Sequence, residues 1–443
     1  MEVLIEQILI YGTLALLCAV VVYFYLRNDK AKTAKTRQKV SVAKAEGLFE
    51  PVSLHPYIDL NTCIGSAACI TACPEKDILG LNEGKVTVIN ASNCVGHGAC
   101  FHACPVEAIS LRIGTESRGV DLPHVNKNFE TNIQGIYIAG ELGGMGLIKN
   151  SVEQGQQAIE NIIKRKKRNI ENVLDVVIVG AGPAGISASL AAKKHGLKSI
   201  TIEQNSLGGT VYTFPRTKVV MTSPMDLPLF GKIKLTDTTK DELLSLWTKV
   251  TSENDLKIKE HTKVNDIKPL LNGTFKLVTN TGDEYITNNV LLAIGRRGSP
   301  RKLNVVGEDL QKVAYRLLEP ERISNKKVVV VGGGDSAIES ALLLNDKNSV
   351  ILSYRSDKFS RLKPKNKANV EQAIASKSLQ VMFNSDLVSI SEKTILIKAD
   401  EDIREFENDL VYIFAGGELP TQFLKNAGVE ITKRFGHVMK KHN

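Results

Sequence analysis

No cysteine follows Cys104 in this 443-residue chain. A dithiol relay needs two thiols, so none can operate internally in the long remainder of the sequence. The six cysteines of the region from Cys63 to Cys104 fall in two runs of three, C-x5-C-x3-C, where structural zinc sites usually show separate C-x2-4-C pairs, so zinc is not the expected metal. No positive charge precedes the apolar stretch at 8–26 and no small-residue cleavage site follows it, which argues against a cleaved signal peptide. Low-complexity sequence is absent. A basic face interleaved with base-reading side chains is missing too. The formal net charge is +9, but seven basic residues against Asp29 crowd into 27–44, and Lys164, Arg165, Lys166, Lys167 and Arg168 supply five more. The rest is near neutral, and no nucleic-acid partner is expected.

What is present begins with two cysteine runs, Cys63, Cys69, Cys73-Pro74 and Cys94, Cys100, Cys104-Pro105. Each reads C-x5-C-x3-C-P. This resembles the bacterial two-cluster ferredoxin pattern C-x2-C-x2-C-x3-C-P with its second cysteine replaced, by Ser66 in one run and His97 in the other. In that family the fourth cysteine serves the other cluster, so the resemblance assigns Cys63, Cys69 and Cys104 to one iron-sulfur site and Cys94, Cys100 and Cys73 to the second. The fourth position stays open: His97 through an imidazole nitrogen, Ser66 as an alkoxide, or a missing corner iron that leaves 3Fe-4S in place of 4Fe-4S.

Residues 8–26 are uncharged and apolar. Nineteen helical residues at about 1.5 Å each come close to the ~30 Å of a bilayer core. Glu2 and Glu6 precede the stretch, whereas Arg27, Lys30, Lys32, Lys35, Arg37, Lys39 and Lys44 follow it. The positive flank marks the cytoplasmic side, so the expectation is one transmembrane helix in the cell inner membrane, a cytoplasmic body and juxtamembrane lysines on anionic headgroups. Disulfides are disfavoured in that compartment. At 443 residues and 43% hydrophobic content the chain has material for two or three globular domains.

Beyond residue 170 the pattern strand, glycine-rich turn, helix, strand, acid occurs in full: a run of apolar residues ending at Gly180, then Gly182 and Gly185, a helical stretch, a second strand and Glu203. Gly180 permits the tight turn, Gly182 the approach of a pyrophosphate to the helix N-terminus, and Gly185 close helix packing; Glu203 accepts from ribose hydroxyls. A second unit carries Gly332, Gly334, Asp335, Ser336 and Ala337, with Ala337 at the third glycine position. Two dinucleotide sites imply FAD and a nicotinamide. After the second unit's second strand come Arg355 and Arg361 instead of an acid, which favours NADP over NAD.

With Gly208-Gly209-Thr210, the stretch from Leu292 to Pro300 and that from Phe414 to Pro420, these units resemble the thioredoxin-reductase-like branch of the flavin-dependent pyridine-nucleotide oxidoreductases. The wording near Leu207 and Tyr354 is most similar to bacillithiol disulfide reductases. Chains of that branch close with a segment of the form T-x-x-x-G-I-Y-A-A-G-D that covers the flavin. Here Thr131, Gly135, Ile136, Tyr137, Gly140 and Glu141 stand before the first glycine turn. The reductase thus resembles a circularly permuted one, spliced near 164–172, and the present C-terminus, 430–440, is expected beside 116–125. Glu141 replaces the motif's aspartate. Permutation would join the ferredoxin domain directly to the flavin-covering segment.

The expected architecture is α/β, with two Rossmann-like nucleotide domains, a small α+β two-cluster ferredoxin domain and the N-terminal helix. The boundaries read 1–26 anchor, 27–53 basic tether, 54–114 ferredoxin, 115–296 and 412–443 FAD domain, and 297–411 NAD(P) domain. The leading expectation is an NAD(P)H oxidoreductase that passes electrons through FAD to the clusters and on to a ferredoxin-like or membrane redox protein, or in the reverse direction. The flavin itself is the catalytic group, since no redox cysteine pair exists there. Two alternatives remain: a disulfide or small-molecule reductase acting directly at the flavin, and a redox sensor. The oligomeric state is not readable from the sequence, although relatives of this branch are often homodimers.

Overall fold

The structure is a computed structural model describing residues 2–442, except 46–47, 52, 76, 95, 145, 166–171, 214–218, 222–223, 236, 297–299, 360–361 and 418–419. It divides into two units, Met1–Val120 with Phe435–Asn443, and Asp121–Arg434. The chain passes between them twice.

In the first unit the helix Glu2–Ala45 runs unbroken for 44 residues. Its apolar part from Leu9 onward is exposed all round, and among the described residues it is the one helix long and apolar enough to cross a membrane. The expected tether is helical as far as Ala45 and docked. Thr36 and Ala43 are buried, Arg37 Nε donates to Asn82 Oδ1 at 3.0 Å, and Arg37 and Lys39 pair with Glu83 and Asp77. The Arg37–Glu83 pair is mostly exposed and is worth under about 1 kcal/mol. Burial of Thr36 and Ala43 therefore holds the helix more than charge does.

A three-stranded antiparallel sheet, Leu54–Ile58, Ile109–Ile113 and His437–Lys440, backs the two cysteine loops, with the hairpin Leu79–Asn82/Lys85–Val88 between them. Each loop ends in a five-residue helix, Ala68–Ala72 or Ala99–Ala103. The C-terminal strand belongs to this sheet, which differs from the expected assignment of 412–443 to the FAD domain. Its neighbour Ile109–Ile113 alternates buried and part-buried residues, and an edge of that kind accepts another strand.

The second unit holds two five-stranded parallel sheets. In the first the order is Ile258–Lys259, Ser199–Ile202, Val176–Val179, Val290–Leu292, Ile136–Ile138. In the other it is Val313–Ala314, Leu410–Ile413, Lys327–Val331, Ser349–Ser353, Gln380–Met382. Their central strands are buried on both faces, which is why they read as unbroken valine and isoleucine runs. An antiparallel three-stranded sheet accompanies each, beginning at Val264 and at Ser385.

The strand Ile136–Ile138 completes the first sheet although it precedes all its neighbours in sequence. Its following helix, Ile148–Lys164, packs on the helix Pro183–Lys194, where a Cβ on Gly155 would overlap Ala184 O. The strand Leu410–Ile413 lies inside the second sheet, so the FAD-side material near the C-terminus begins later than 412. Leu424, Ala427 and Val429 enter the core of the first sheet. The strand Ile431–Arg434 pairs with Val120–Pro123, and His124 N donates to Glu430 O at 2.8 Å, as expected for 430–440 beside 116–125. The six residues 166–171 of the presumed splice lie outside the described residues.

Candidate redox centres

Cys63, Cys69 and Cys104 line one recess, partly open to solvent, together with Ser66 and the apolar side chains of Ile64 and Val86. Residues from both runs meet there, because the short helices after each loop turn the third cysteine of the second run back toward the first. A Cβ on Gly65 would overlap Gly84 O, so the Cys63 loop sits hard against the hairpin tip, and only glycine fits at its φ of +70°. Val86 N and Ala108 N donate to the Cys63 and Cys104 sulfurs at 3.5 and 3.3 Å. Such N–H donors stabilise the negative charge of ligating sulfur.

Burial pushes the Cys94 thiol up to about 11 and Cys100 to about 12, and each is raised further by neighbouring thiols, Cys73 in both cases. Burial likewise raises Cys69, with Cys104 and Cys63 adding to it. Cys100 is also raised by Cys69, so these interactions reach across the two sets expected from the sequence. Among the described residues no three His, Cys, Asp or Glu groups converge on one point as they would around a single ion.

His97 is half-buried, and burial lowers its pKa, so the ring is neutral at pH 7. Its Nδ1 accepts from Ala99 N at 3.1 Å, which leaves the proton on Nε2, and Nε2 is buried without a partner among the described residues. In this state the ring offers a donor, N–H, to the cluster region. Binding iron through Nε2 would require moving that proton to Nδ1 and giving up the Ala99 bond.

In the first nucleotide unit, a Cβ on Gly180 would lie 2.5 Å from Ala293 O and one on Gly185 would overlap Gly180 O, whereas one on Gly182 would meet nothing within 4 Å. The first two glycines serve packing. The space at Gly182 opens at the N-terminus of the helix Pro183–Lys194, where backbone N–H groups favour an anion. Glu203 is 4% exposed, and its carboxylate accepts from Ala181 N at 2.7 Å and Asn205 N at 2.8 Å. It thereby fixes the glycine turn itself. Gly208 N donates to Ala181 O, and a Cβ on Gly209 would press on Gly182.

Gly140 has φ +84°, its N–H donates to Gln154 Oε1 at 2.8 Å, and a Cβ there would lie 3.2 Å from that of Ala184. A Cβ on Gly295 would stand 4.0 Å from both Glu141 Oε2 and Thr210 Oγ1. Three segments distant in sequence thus converge. Arg296 joins them: burial lowers its pKa, partly offset by the carboxylates of Glu141 and Asp121. Sequence reasoning singled out the stretch around Gly295 but missed this arginine as a site residue, since only the fold brings it to Glu141.

In the second unit, Gly334 caps the helix Asp335–Asn345, and a Cβ there would meet nothing within 4 Å. A Cβ on Gly332 would press on Phe414 O and on the buried Ala337. Gly333 lies over the Tyr354 ring. Asp335 Oδ1 accepts from Lys363 N at 2.9 Å and Asn366 Nδ2 at 2.7 Å, which ties it to the helix Pro364–Ala375. Ser336 begins the helix beside it. Arg355 is exposed just past the strand Ser349–Ser353, while Arg361 lies outside the described residues.

The comparisons agree with these features. The family described as pyridine nucleotide-disulphide oxidoreductase matches residues 177–442, and a 4Fe-4S dicluster domain matches 55–105. Bacilliredoxin reductase Bdr of Bacillus subtilis (strain 168) is 27% identical over 266 residues, 59% of this chain and 82% of that protein. The ferredoxin–NADP reductase of Ignicoccus hospitalis is 31% identical over 187 residues, 42% of this chain and 57% of its own length. Ferredoxin–NADP reductase 1 of Bacillus thuringiensis (strain Al Hakam) is 30% identical over 228 residues, 50% of this chain and 61% of its own length. The solved bacillithiol disulfide reductase Bdr from Staphylococcus aureus shares the fold, with a TM-score of 0.51 and 24% identity over 60% of this chain and 85% of that one. The chain belongs to the pyridine nucleotide-disulphide oxidoreductase family, as a flavin-dependent NAD(P)H oxidoreductase that uses FAD and NADP and carries a 4Fe-4S dicluster domain.

Proposed function

We propose that this protein is a membrane-anchored oxidoreductase, facing the cytoplasm, that moves electrons between NADP(H) and an external one-electron carrier by way of two iron-sulfur clusters. The observation that supports it best is the recess shared by Cys63, Cys69 and Cys104 in a chain whose reductase portion contains no cysteine. Thiols are gathered where clusters need them and are missing where disulfide exchange needs them. A flavin bound in the first nucleotide unit supplies the exchange between hydride pairs and single electrons.

The chain's own residues have assignable tasks. The open face at Gly182 receives the pyrophosphate, and Gly140, Glu141, Thr210 and Arg296 enclose the far part of the flavin site. Gly334 receives the nicotinamide dinucleotide's phosphates, and Arg355 meets the 2′-phosphate. Cys63, Cys69 and Cys104 hold one cluster; Cys73, Cys94 and Cys100 hold the other. His97 would offer its Nε2–H to the cluster held by Cys73, Cys94 and Cys100. The strand Ile136–Ile138 and helix Ile148–Lys164 are the permuted end of the reductase, which accounts for a strand that precedes its whole sheet in sequence. The apolar helix anchors the protein in the inner membrane.

The likeness to bacilliredoxin reductase favours a second reading, direct reduction of a disulfide or small molecule at the flavin. Paired variants Cys69→Ser and Cys100→Ser separate the two. The electron-transfer reading predicts that NADPH still bleaches the flavin while reduction of a ferredoxin-type acceptor falls at least ~100-fold, about 2.7 kcal/mol in barrier. Undiminished turnover with the physiological acceptor would favour direct chemistry at the flavin.

A further inference from the structure

The N-terminal helix grades the ferredoxin unit by distance from its apolar end. Glu83 N, at the hairpin tip, donates to Thr33 Oγ1 at 3.3 Å; Gly80 faces Thr36; Asp77 pairs with Lys39. Farther along, Leu48 N donates to Ala43 O at 2.8 Å, and Ser92 N, in the turn Ala91–Asn93 that leads into Cys94, donates to Leu48 O at 2.9 Å. The hairpin tip therefore lies nearest the apolar stretch, and the Cys63 loop is packed on that tip through Gly65 and Gly84. The Cys94 loop lies at the far end of the helix. Thr33 is about 10 Å of helix past Leu26, and Ala43 about 25 Å. A headgroup layer is roughly 5–7 Å deep.

We propose that the Cys63–Cys69–Cys104 site is the membrane-facing port of the protein, and that it exchanges electrons with a membrane-embedded redox protein docked at Leu60 and Ile64. The inference rests on the membrane-anchored reading above and adds to it the order of the two sites and the class of partner. Leu60 and Ile64 flank Cys63 and are 56% and 64% exposed, large apolar side chains next to a thiol ligand. Aside from the three thiols, the recess is lined by apolar groups, Gly65 and Ser66, with no histidine, carboxylate or amine. A lipid-soluble quinone needs two protons with its two electrons; among the described residues lining the recess only Ser66 is protic, and the Lys85 ammonium beside it is held by the Cys63 carbonyl. A one-electron centre in a protein needs no proton.

The balance is simple. A cluster held by Cys63, Cys69 and Cys104 would exchange one electron per transfer with the partner's centre, with no bond made or broken. Two transfers follow from one NADPH, which becomes NADP⁺ with release of one proton.

The test uses the full-length holoprotein with Cys18→Ser, nitroxide-labelled at Asn61→Cys or at Asn93→Cys, in nanodiscs whose headgroups chelate nickel. Paramagnetic relaxation of the label is expected to be several-fold stronger at position 61 than at 93; equal or reversed values overturn the proposed order. In parallel, Leu60→Glu is expected to lower NADPH-driven reduction of native membrane vesicles at least tenfold while ferricyanide reduction stays unchanged, with Leu60→Ala showing a smaller loss in the same direction. Equal rates for all three proteins overturn the docking site. Wild-type rates with protein-free vesicles containing only a quinone overturn the protein partner. A holoprotein that fails to float with vesicles overturns the anchor reading together with this one, whereas flotation with the label order reversed overturns this one alone.

Discussion

At the residue scale, two neighbouring glycines separate packing from binding. Gly185→Ala forces a Cβ into Gly180 O, an overlap that backbone must relieve, and is expected to lower the melting temperature with a cost of about 1–3 kcal/mol or more. Gly182→Ala meets nothing within 4 Å; it should leave the melting temperature of flavin-free protein within a degree or two of wild type and strongly reduce the FAD-to-protein ratio, both read on the same samples. His97 offers a similar contrast. With Nδ1 accepting from Ala99, His97→Ala is expected to keep the iron content and shift one cluster to a more negative potential, because a lost N–H donor destabilises the reduced, more negative state. Loss of iron, or a three-iron signal appearing only in the variant, would make the imidazole a ligand.

The raised thiols carry a pH signature. A group whose pKa is higher folded than unfolded stabilises the fold fully below the unfolded value, and that contribution is lost as pH rises through the folded one. For cluster-free protein, Cys94 at about 11 and Cys100 at about 12 against a model-compound value of 9.0 predict stability that declines between about pH 9 and 12, measured by urea unfolding. Cluster assembly should release protons, since ligating sulfur is thiolate.

At the element scale, the helix Glu2–Ala45 has an exposed apolar half and a docked basic half. Burial of small side chains holds the second half, so Gly80→Ala, whose Cβ would come within 2.9 Å of Thr36 Oγ1 and 2.8 Å of Ile89 Cδ1, is expected to speed amide exchange across 33–45. Arg37→Glu, which breaks an exposed pair, should change exchange there by less than about fivefold, in keeping with a cost below ~1 kcal/mol. The reverse ranking would mean that charge does the docking. Sequence showed the apolar half clearly, because hydrophobicity alone defines it. The docked half was read as a tether because Thr36 and Ala43, the residues that bury, give no amphipathic stripe among so many lysines.

At the scale of the whole molecule, both nucleotide folds were legible because valine-rich strands and glycine turns are short-range signals. The strand Ile136–Ile138, which precedes all its sheet neighbours in sequence, was legible for the same reason, from the motif around it. The fate of the C-terminus was only half legible: Ile431–Arg434 joins Val120–Pro123, but His437–Lys440 completes the ferredoxin sheet, a partnership between residues more than 300 apart that no local pattern records. Likewise Arg296 reaches Glu141 only through the fold.

The central claim is that electrons pass between NADPH and the clusters. Freeze-quenched electron paramagnetic resonance of the anaerobic holoprotein mixed with NADPH tests it most directly, with flavin absorbance followed on the same time base. The account predicts reduced-cluster signals that grow within the period of flavin bleaching. Flavin that bleaches fully while clusters reducible by dithionite stay oxidised would contradict it.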